Sequence, residues 1–274
     1  MEERERYENA LFTIRFYGEG LKTRGVSIYD LSHSLLAIQR IVHKAHLSIQ
    51  NKLIKGAFPD KEDRQTLALQ IGERRRGSDV FALIPILSDA QTQEYLKQIA
   101  SYIIPAIVAY YTNDVLNYIR GERNKNQQIF IGSIYTEVTN IVNRIDASGG
   151  VDTISLGTPT LERETIAAFD ADTKEYLKSI KDEYFLGEYQ TIKGRVYKFY
   201  PASKIVAIRG SGGRVVSIFL SADDFNTIRY HRENRPLFLF RGHPRYPLGV
   251  ETILLSEFEA DEIEHVNDND EEFD

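Results

Sequence analysis

Three groups of residues in this chain have types and spacings that could do chemistry. Asp170-Ala171-Asp172-Thr173 follows the apolar Ile166-Ala167-Ala168-Phe169, and a second acidic pair, Asp223-Asp224, follows Val216 to Leu220. An aspartate nucleophile with further carboxylates on magnesium is what phosphoryl transfer needs. Helix capping explains both pairs more simply, with Asp172 or Thr173 before residues 174–180 and Ser221 with Asp224 before residues 225–231. Gly210-Ser211-Gly212-Gly213 has the glycine content of a phosphate cradle. Such cradles lead from a strand into a helix, whereas this one leads into the strand-like residues 214–220, so it reads as a hairpin turn.

The six histidines stand at 33, 43, 46, 231, 243 and 265, and only His43 and His46 share a helix face. No spacing rule supplies a third ligand, so no metal is expected. With no cysteine there is no thiol nucleophile, disulfide or thiolate-bound metal, which fits a reducing cytoplasm. No G-x-S-x-G elbow is present. The expectation is a protein that is not an enzyme and carries no cofactor.

The third group is basic and aromatic, and suits binding. Alternation puts Lys193, Arg195 and Tyr197 on one strand face, Arg209 and Arg214 flank the next hairpin, and Arg245-Tyr246 lies in a later loop. Cations meet phosphates and aromatic rings stack on bases, so these seven residues form a nucleic-acid or partner surface. Arg74-Arg75-Arg76 is a secondary basic loop between two predicted strands.

Charge along the chain is segregated. The 34 Lys and Arg stand against 40 Asp and Glu, net −6, but residues 257–274 hold 10 acids and no Lys or Arg, leaving 34 bases against 30 acids elsewhere. Residues 187–250 hold 11 bases and 4 acids. A basic module thus precedes an acidic end, which is expected to be a disordered, solubilising tail or a shield for the basic surface beside it.

The elements that position these residues follow from periodicity. Residues 11–17 alternate as a strand, and Ser27 with Asp30 opens a helix carrying Leu31, Leu35, Ile38, Val42, Ala45 and Ile49. Residues 66–71 and 79–86 read as a hairpin. Ser88 with Gln91 caps a long helix, 89–120, that Pro105 should kink. A shorter helix at 133–145 follows a polar link at 121–128, then a strand at 151–156 and a helix at 160–184 broken near 169–172. The longest apolar stretch, 99–111, is shorter than the roughly 20 residues of a spanning helix, and the mixed-charge N-terminus is unlike a signal peptide, so no membrane contact is expected.

From residue 187 the texture changes to strands at 189–200 (interrupted by Gly194), 204–209 and 214–220, a helix from Ser221 to His231, then strands at 236–241 and 250–258. The loop between the last two is 242–249. This β-β-β-α-β-β order resembles the oligonucleotide/oligosaccharide-binding (OB) fold, with an SH3-like barrel as the alternative. The resemblance implies a ligand surface on strands two and three and the loops after strands one and four. The Asp-x-Asp-x-Thr string resembles that of haloacid-dehalogenase-like phosphatases, but that family implies parallel strands with crossover helices, and the residues between the acidic pairs read as antiparallel hairpins. Phe16-Tyr17-Gly18-Glu19-Gly20 before Asp30-Leu31 resembles uncharacterised bacterial proteins, from which no residue's role carries over.

The expected fold class is therefore α+β: a mixed domain of antiparallel strands and long helices (1–186), a small OB-like β-barrel (187–260) and an acidic tail (261–274). The expected function is a non-catalytic recognition or adaptor protein with a protein partner or a second copy of itself. Tyr102, Tyr110, Tyr111 and Tyr118 motivate it, since exposed aromatics concentrate at interfaces. The bacterial resemblance would place it in a multi-protein system such as defence against phage. The alternative is single-stranded nucleic-acid binding through the basic barrel, modulated by the tail.

Overall fold

The computed structural model describes residues 10–72, 79–87, 89–146, 148, 150–209, 213–231, 236–251 and 254–266. The chain divides into a first unit, Met1–Glu183 with Leu248–Glu251, and a second, Tyr184–Pro247 with Thr252–Asp274.

The first unit is built on an antiparallel sheet in the order β2-β3-β1-β4-β5, with β1 Phe12–Tyr17, β2 Leu69–Ile71, β3 Asp79–Pro85, β4 Thr153–Thr158 and β5 Arg163–Phe169. In β1 the alternation holds, with Phe12, Ile14 and Phe16 buried. Helices α1 (Leu21–Arg24), α2 (Ile28–Ile49), α3 (Lys61–Thr66), α4 (Ala90–Tyr111), α5 (Val115–Gly121), α6 (Lys125–Ser133), α7 (Tyr135–Val142) and α8 (Ala171–Ser179) complete it.

Ser27 caps α2, since the Asp30 N–H donates to Ser27 Oγ (3.0 Å), and Ser27 Oγ in turn donates to Asp30 Oδ2 (2.6 Å). The long helix is capped by Asp89, which accepts from the Thr92 N–H (2.9 Å), and it ends at Tyr111. Asn113 at φ 57° then separates it from α5, so residues 89–120 are two helices. The polar residues 121–128 are helical from Lys125 because their side chains bond inside the unit: Gln127 Nε2 donates to Tyr102 O (3.1 Å) and Gln128 Nε2 to Glu122 O (2.7 Å). Residues 163–169, expected as helix, form β5 because Ile154 and Leu156 of β4 pair with Phe169 and Ala167. Asp170 caps α8 by accepting from the Thr173 N–H (2.9 Å), so the Asp-x-Asp-x-Thr string is a strand end and a helix cap. Of the four tyrosines, Tyr110 is buried and donates to Ile131 O (2.7 Å), and half-buried Tyr102 bonds Ser48 (2.9 Å), whereas Tyr111 and Tyr118 are exposed.

The second unit is a closed five-stranded barrel. Strands β7 (Gln190–Tyr200), β8 (Ile205–Arg209), β9 (Val215–Phe219), β10 (Leu237–Pro247) and β11 (Glu257–Val266) pair in the circuit β7-β8-β9-β11-β10-β7, with helix α9 (Ala222–Tyr230) between β9 and β10. All the ladders are antiparallel except β9–β11, which is parallel. This circuit, with its helix between the third and fourth strands, is OB-like. A short strand, β6 (Tyr184–Leu186), adds to the end of β10.

Val196, Val206, Ile208, Val216, Ile218, Phe238, Phe240 and Phe258 fill the barrel, and Phe225 and Ile228 of α9 pack on the same core. Gly194 lies where β7 changes partner from β10 to β8, and a Cβ there would stand 2.5 Å from Ile208 Cδ1. The bend thus needs a residue without a side chain.

Strand β10 runs through residues 242–247, which the sequence reading assigns to a loop, and β11 runs to Val266 rather than ending near 258. Asp261, Glu262 and Glu264 are therefore strand residues of the barrel, not part of a tail.

Candidate functional site

The second unit sorts its charges by strand. From Tyr189 to Leu220 the sequence holds Lys193, Arg195, Lys198, Lys204, Arg209 and Arg214 and no carboxylate. Strand β11 is the reverse, holding Glu257, Glu259, Asp261, Glu262 and Glu264 and no Lys or Arg.

The acids of β11 are engaged by β10. Arg241 reaches Glu264 at 2.6 Å and Glu262 at 3.7 Å, and the Glu264 hydrogen bond raises the guanidinium pKa further above its ordinary value. Arg245 lies 3.6 Å from Glu259 and 4.0 Å from Glu257. Its guanidinium carbon is 3.7 Å from the ring centroids of both Tyr184 and Phe219, a cation held against two aromatic faces.

The strands β7, β8 and β9 contribute no carboxylate of their own to the outer face of the barrel. Val196, Ile208 and Val216 point into the core, so Arg195, its cross-strand partner Arg209 and the next partner Val215 share the outer face. Between Val196 and Lys198 the register slips by one residue, which makes Tyr197 the bulged residue. Tyr197 is 37% exposed and its ring lies beneath Arg209, with the guanidinium carbon 5.1 Å from the centroid. After the bulge Lys198 pairs with Ala207 on the outer face and Phe199 turns inward against Phe225. Lys198 Nζ lies 4.7 Å from the ring centroid of exposed Tyr200, whose hydroxyl raises the ammonium pKa by hydrogen bonding. Lys193 and Arg214 are exposed. Among the described residues, no carboxylate forms an ion pair with Lys193, Lys198, Arg209 or Arg214.

Five of the seven residues singled out in the sequence, Lys193, Arg195, Tyr197, Arg209 and Arg214, thus belong to one strand surface or its edge. The other two are placed differently. Tyr246 is 6% exposed and stacks on Phe185 with centroids 5.2 Å apart, and Arg245 is enclosed as described. Arg74, Arg75 and Arg76 lie outside the described residues. Lys198 and Tyr200 join the surface, although strict alternation points Lys198 inward. The order Lys198-Phe199 was the available signal, because a barrel core takes the phenylalanine rather than the lysine.

Gly210, Ser211 and Gly212 also lie outside the described residues, in the sequence between the antiparallel strands β8 and β9. Ser221 caps α9, accepting from the Asp224 N–H at 3.1 Å while its Oγ donates to Asp224 Oδ2 at 2.7 Å. No group of three His, Asp or Glu side chains that could hold a metal ion occurs among the described residues. No helix among them is long and apolar enough to cross a membrane.

No family model matches the chain, and no curated protein matches it. Among solved structures it is similar to U. maydis replication protein A bound to ssDNA, at 18% identity and a TM-score of 0.21, over 31% of this chain and 66% of that one, just under two thirds of its length. A likeness at that level carries no weight for fold or function, and the barrel is defined by its own strand pairing.

Proposed function

We propose that this chain is a non-catalytic nucleic-acid-binding protein that holds a single strand on the outer face of β7, β8 and β9. One observation carries the reading: the Arg209 guanidinium lies over the exposed ring of Tyr197, and Lys198 over the exposed ring of Tyr200, on strands that contain no carboxylate. A phosphate at Arg209 or Lys198 accepts charge-assisted bonds, which are stronger than neutral ones. Tyr197 and Tyr200 offer π-faces, each worth about 1–3 kcal/mol per stacked base. A polyanion with unstacked bases matches this pairing of cations and rings, and a single strand supplies both.

Fluorescence anisotropy tests it, with a labelled single-stranded oligonucleotide and a duplex of the same length, against the full chain and Arg209→Glu. Preferential binding of the single strand, weakened about tenfold or more by Arg209→Glu, is the expected outcome. Equal binding by the parent and Arg209→Glu chains would overturn the reading.

A second reading is favoured by a separate feature of the first unit. Ile28 (86% exposed), Tyr29 (60%) and Leu36 (49%) present apolar surface on the N-terminal half of α2, which suits an adaptor with a protein partner or a second copy. Sedimentation velocity of the full chain against Ile28→Ser/Leu36→Ser tests self-association there. A concentration-independent monomer in both would remove the second copy as the partner.

A further inference from the structure

We propose that the barrel associates head to tail with a second copy of this chain, the Asp261–Glu262 bulge of one barrel seating on Tyr197, Lys198 and Arg209 of the next. This association would regulate the face used in the nucleic-acid reading above, and it rests on that reading only for the competition with a bound strand. Two register slips build the two surfaces. In β7 the slip between Val196 and Lys198 leaves Tyr197 and Lys198 side by side and exposed, between Val196 and Phe199, which turn to the core. In β11 Glu262 pairs with Arg241 and Ala260 with Gly242, so Asp261 is the extra residue. Asp261 and Glu262 therefore stand exposed together between Ala260 and Ile263, which turn to the core. Gly242 permits this slip, since a Cβ there would overlap the Glu259 carbonyl oxygen.

The two surfaces carry opposite charge. Strand β11 holds five carboxylates against the two arginines of β10, Arg241 and Arg245, so acids are left in excess on that side. Those of the bulge are held most loosely. Arg241 bonds Glu264 at 2.6 Å, whereas Glu262 stands 3.7 Å from Arg241 and Asp261 stands 3.8 Å from His243, both with side chains more than half exposed. Lys198 and Arg209 stand on strands that hold no carboxylate.

One barrel cannot join its own two surfaces. In the circuit β7-β8-β9-β11-β10, β11 lies two strands from β7, through β10, and two strands from β8, through β9, so its outer face points away from both. A second copy brings the surfaces together, with the two carboxylates meeting the Lys198 ammonium and the Arg209 guanidinium, whose fork matches a carboxylate. Because the surfaces point apart, the contact is heterologous: each added barrel leaves one surface of each kind free, and the assembly grows with concentration instead of stopping at an isologous dimer. The contact is small and ionic, so it is transient and weakens as salt screens it.

Sedimentation velocity of the full chain without nucleic acid tests it, over about a thirtyfold range of concentration at roughly 50 and 500 mM salt. Two reversed chains, Lys198→Glu/Arg209→Glu and Asp261→Lys/Glu262→Lys, are compared with the parent, singly and mixed in equal amounts. Circular dichroism melts establish that each is folded. The neutral Asp261→Asn/Glu262→Gln chain takes the place of the reversed bulge if that one does not fold, and should lose the association.

The parent's sedimentation coefficient is expected to rise with concentration at low salt, by about 1.5-fold or more, and to stay at the monomer value at high salt. Each reversed chain alone should remain monomeric, because like charges then face one another. Their mixture should associate again, because each surface of one chain finds its opposite on the other. A parent that is monomeric at low salt, reversed chains that associate singly as the parent does, or a folded mixture that stays monomeric would overturn the inference. Association that survives high salt would also overturn it, and would point to the apolar residues of α2, Ile28, Tyr29 and Leu36. A short oligothymidylate that binds the basic face should return the assembly to monomer. A strand that binds and leaves the assembly intact would overturn the inference, whereas failure of every chain to bind oligonucleotide would overturn the nucleic-acid reading alone.

Discussion

Tyr197 and Tyr246 are both tyrosines on barrel strands, and truncating each should separate binding from stability. Tyr246 is 6% exposed and stacks on Phe185, so Tyr246→Ala removes a buried ring and leaves a cavity, at a cost of about 3–4 kcal/mol. Tyr197 is 37% exposed on a bulge, and its main partner is the Arg209 guanidinium 5.1 Å from its centroid. Losing that exposed cation–π contact costs about 0.5–1 kcal/mol of stability. If a base stacks on Tyr197, its removal costs a further 1–3 kcal/mol of binding, or about 5-fold to 150-fold in affinity. Urea unfolding followed by circular dichroism reads the first quantity, and anisotropy at a temperature where both variants are folded reads the second. Tyr246→Ala should lower the unfolding midpoint strongly and leave affinity within about twofold once folded, while Tyr197→Ala should do the reverse. A Tyr197→Ala chain that binds as tightly as the parent, or a Tyr246→Ala chain as stable as the parent, would refute the assignment of exposed and buried roles.

Three further outcomes follow from the same geometry. Lys44 is 6% exposed, with Nζ 2.5 Å from Glu137 Oε2, 2.8 Å from Glu251 Oε1 and 2.8 Å from Ser133 O; Lys44→Met therefore strands Glu137, itself 3% exposed, and should cost about 3–5 kcal/mol in urea unfolding, with Lys44→Met/Glu137→Leu recovering part of the loss. Burial, with His46 and Arg64 nearby, lowers the His43 pKa from 6.5 to about 4, and the Gln39 amide donates to its Nε2 as the neutral ring requires. The unfolded chain therefore binds the proton first, so stability is fully present above about pH 6.5 and falls toward pH 4, by about 1–2 kcal/mol after allowance for partial exposure, and thermal melts of His43→Leu should show a flatter profile over that window. Gly194→Val would drive its side chain into Ile208, 2.5 Å from the position of an added Cβ, and should cost about 1–3 kcal/mol, with Gly194→Val/Ile208→Ala restoring some of it in the same assay.

The barrel was legible from sequence because its devices are local. Turn glycines, a helix cap at Ser221 and alternating apolar residues in β8 and β9 each declare themselves within a few positions. Strand β11 was hidden because Asp and Glu are depleted in strands, and its acids are tolerated only because Arg241 and Arg245 stand on the neighbouring strand. The end of β10 was hidden by Gly242, Pro244 and Pro247, which read as a loop. Pro244 nonetheless fits the strand, because its carbonyl accepts from the Gly187 N–H at 2.9 Å. In the first unit, β5 carries apolar residues at spacings that suit a helix as well as a strand, and pairing with β4 decides between them. For the binding surface, alternation located Lys193, Arg195 and Tyr197, and only the bulge after Val196 brings Lys198 and Tyr200 to join them. Tyr246 could not be assigned to the interior from its own position, because β6, which supplies Phe185, is a three-residue strand more than fifty residues earlier in the chain.

Whether the outer face of β7, β8 and β9 meets phosphates is read from the salt dependence of binding. For a single strand, log affinity falls with log salt by about 0.7 per phosphate neutralised, so Lys193, Arg195, Lys198, Arg209 and Arg214 acting together give a slope of about −3.5. Arg195→Ala/Arg209→Ala should weaken binding at low salt and make the slope shallower by about 1.4. A double variant with the parent's affinity and the parent's slope would show that these arginines meet no phosphate.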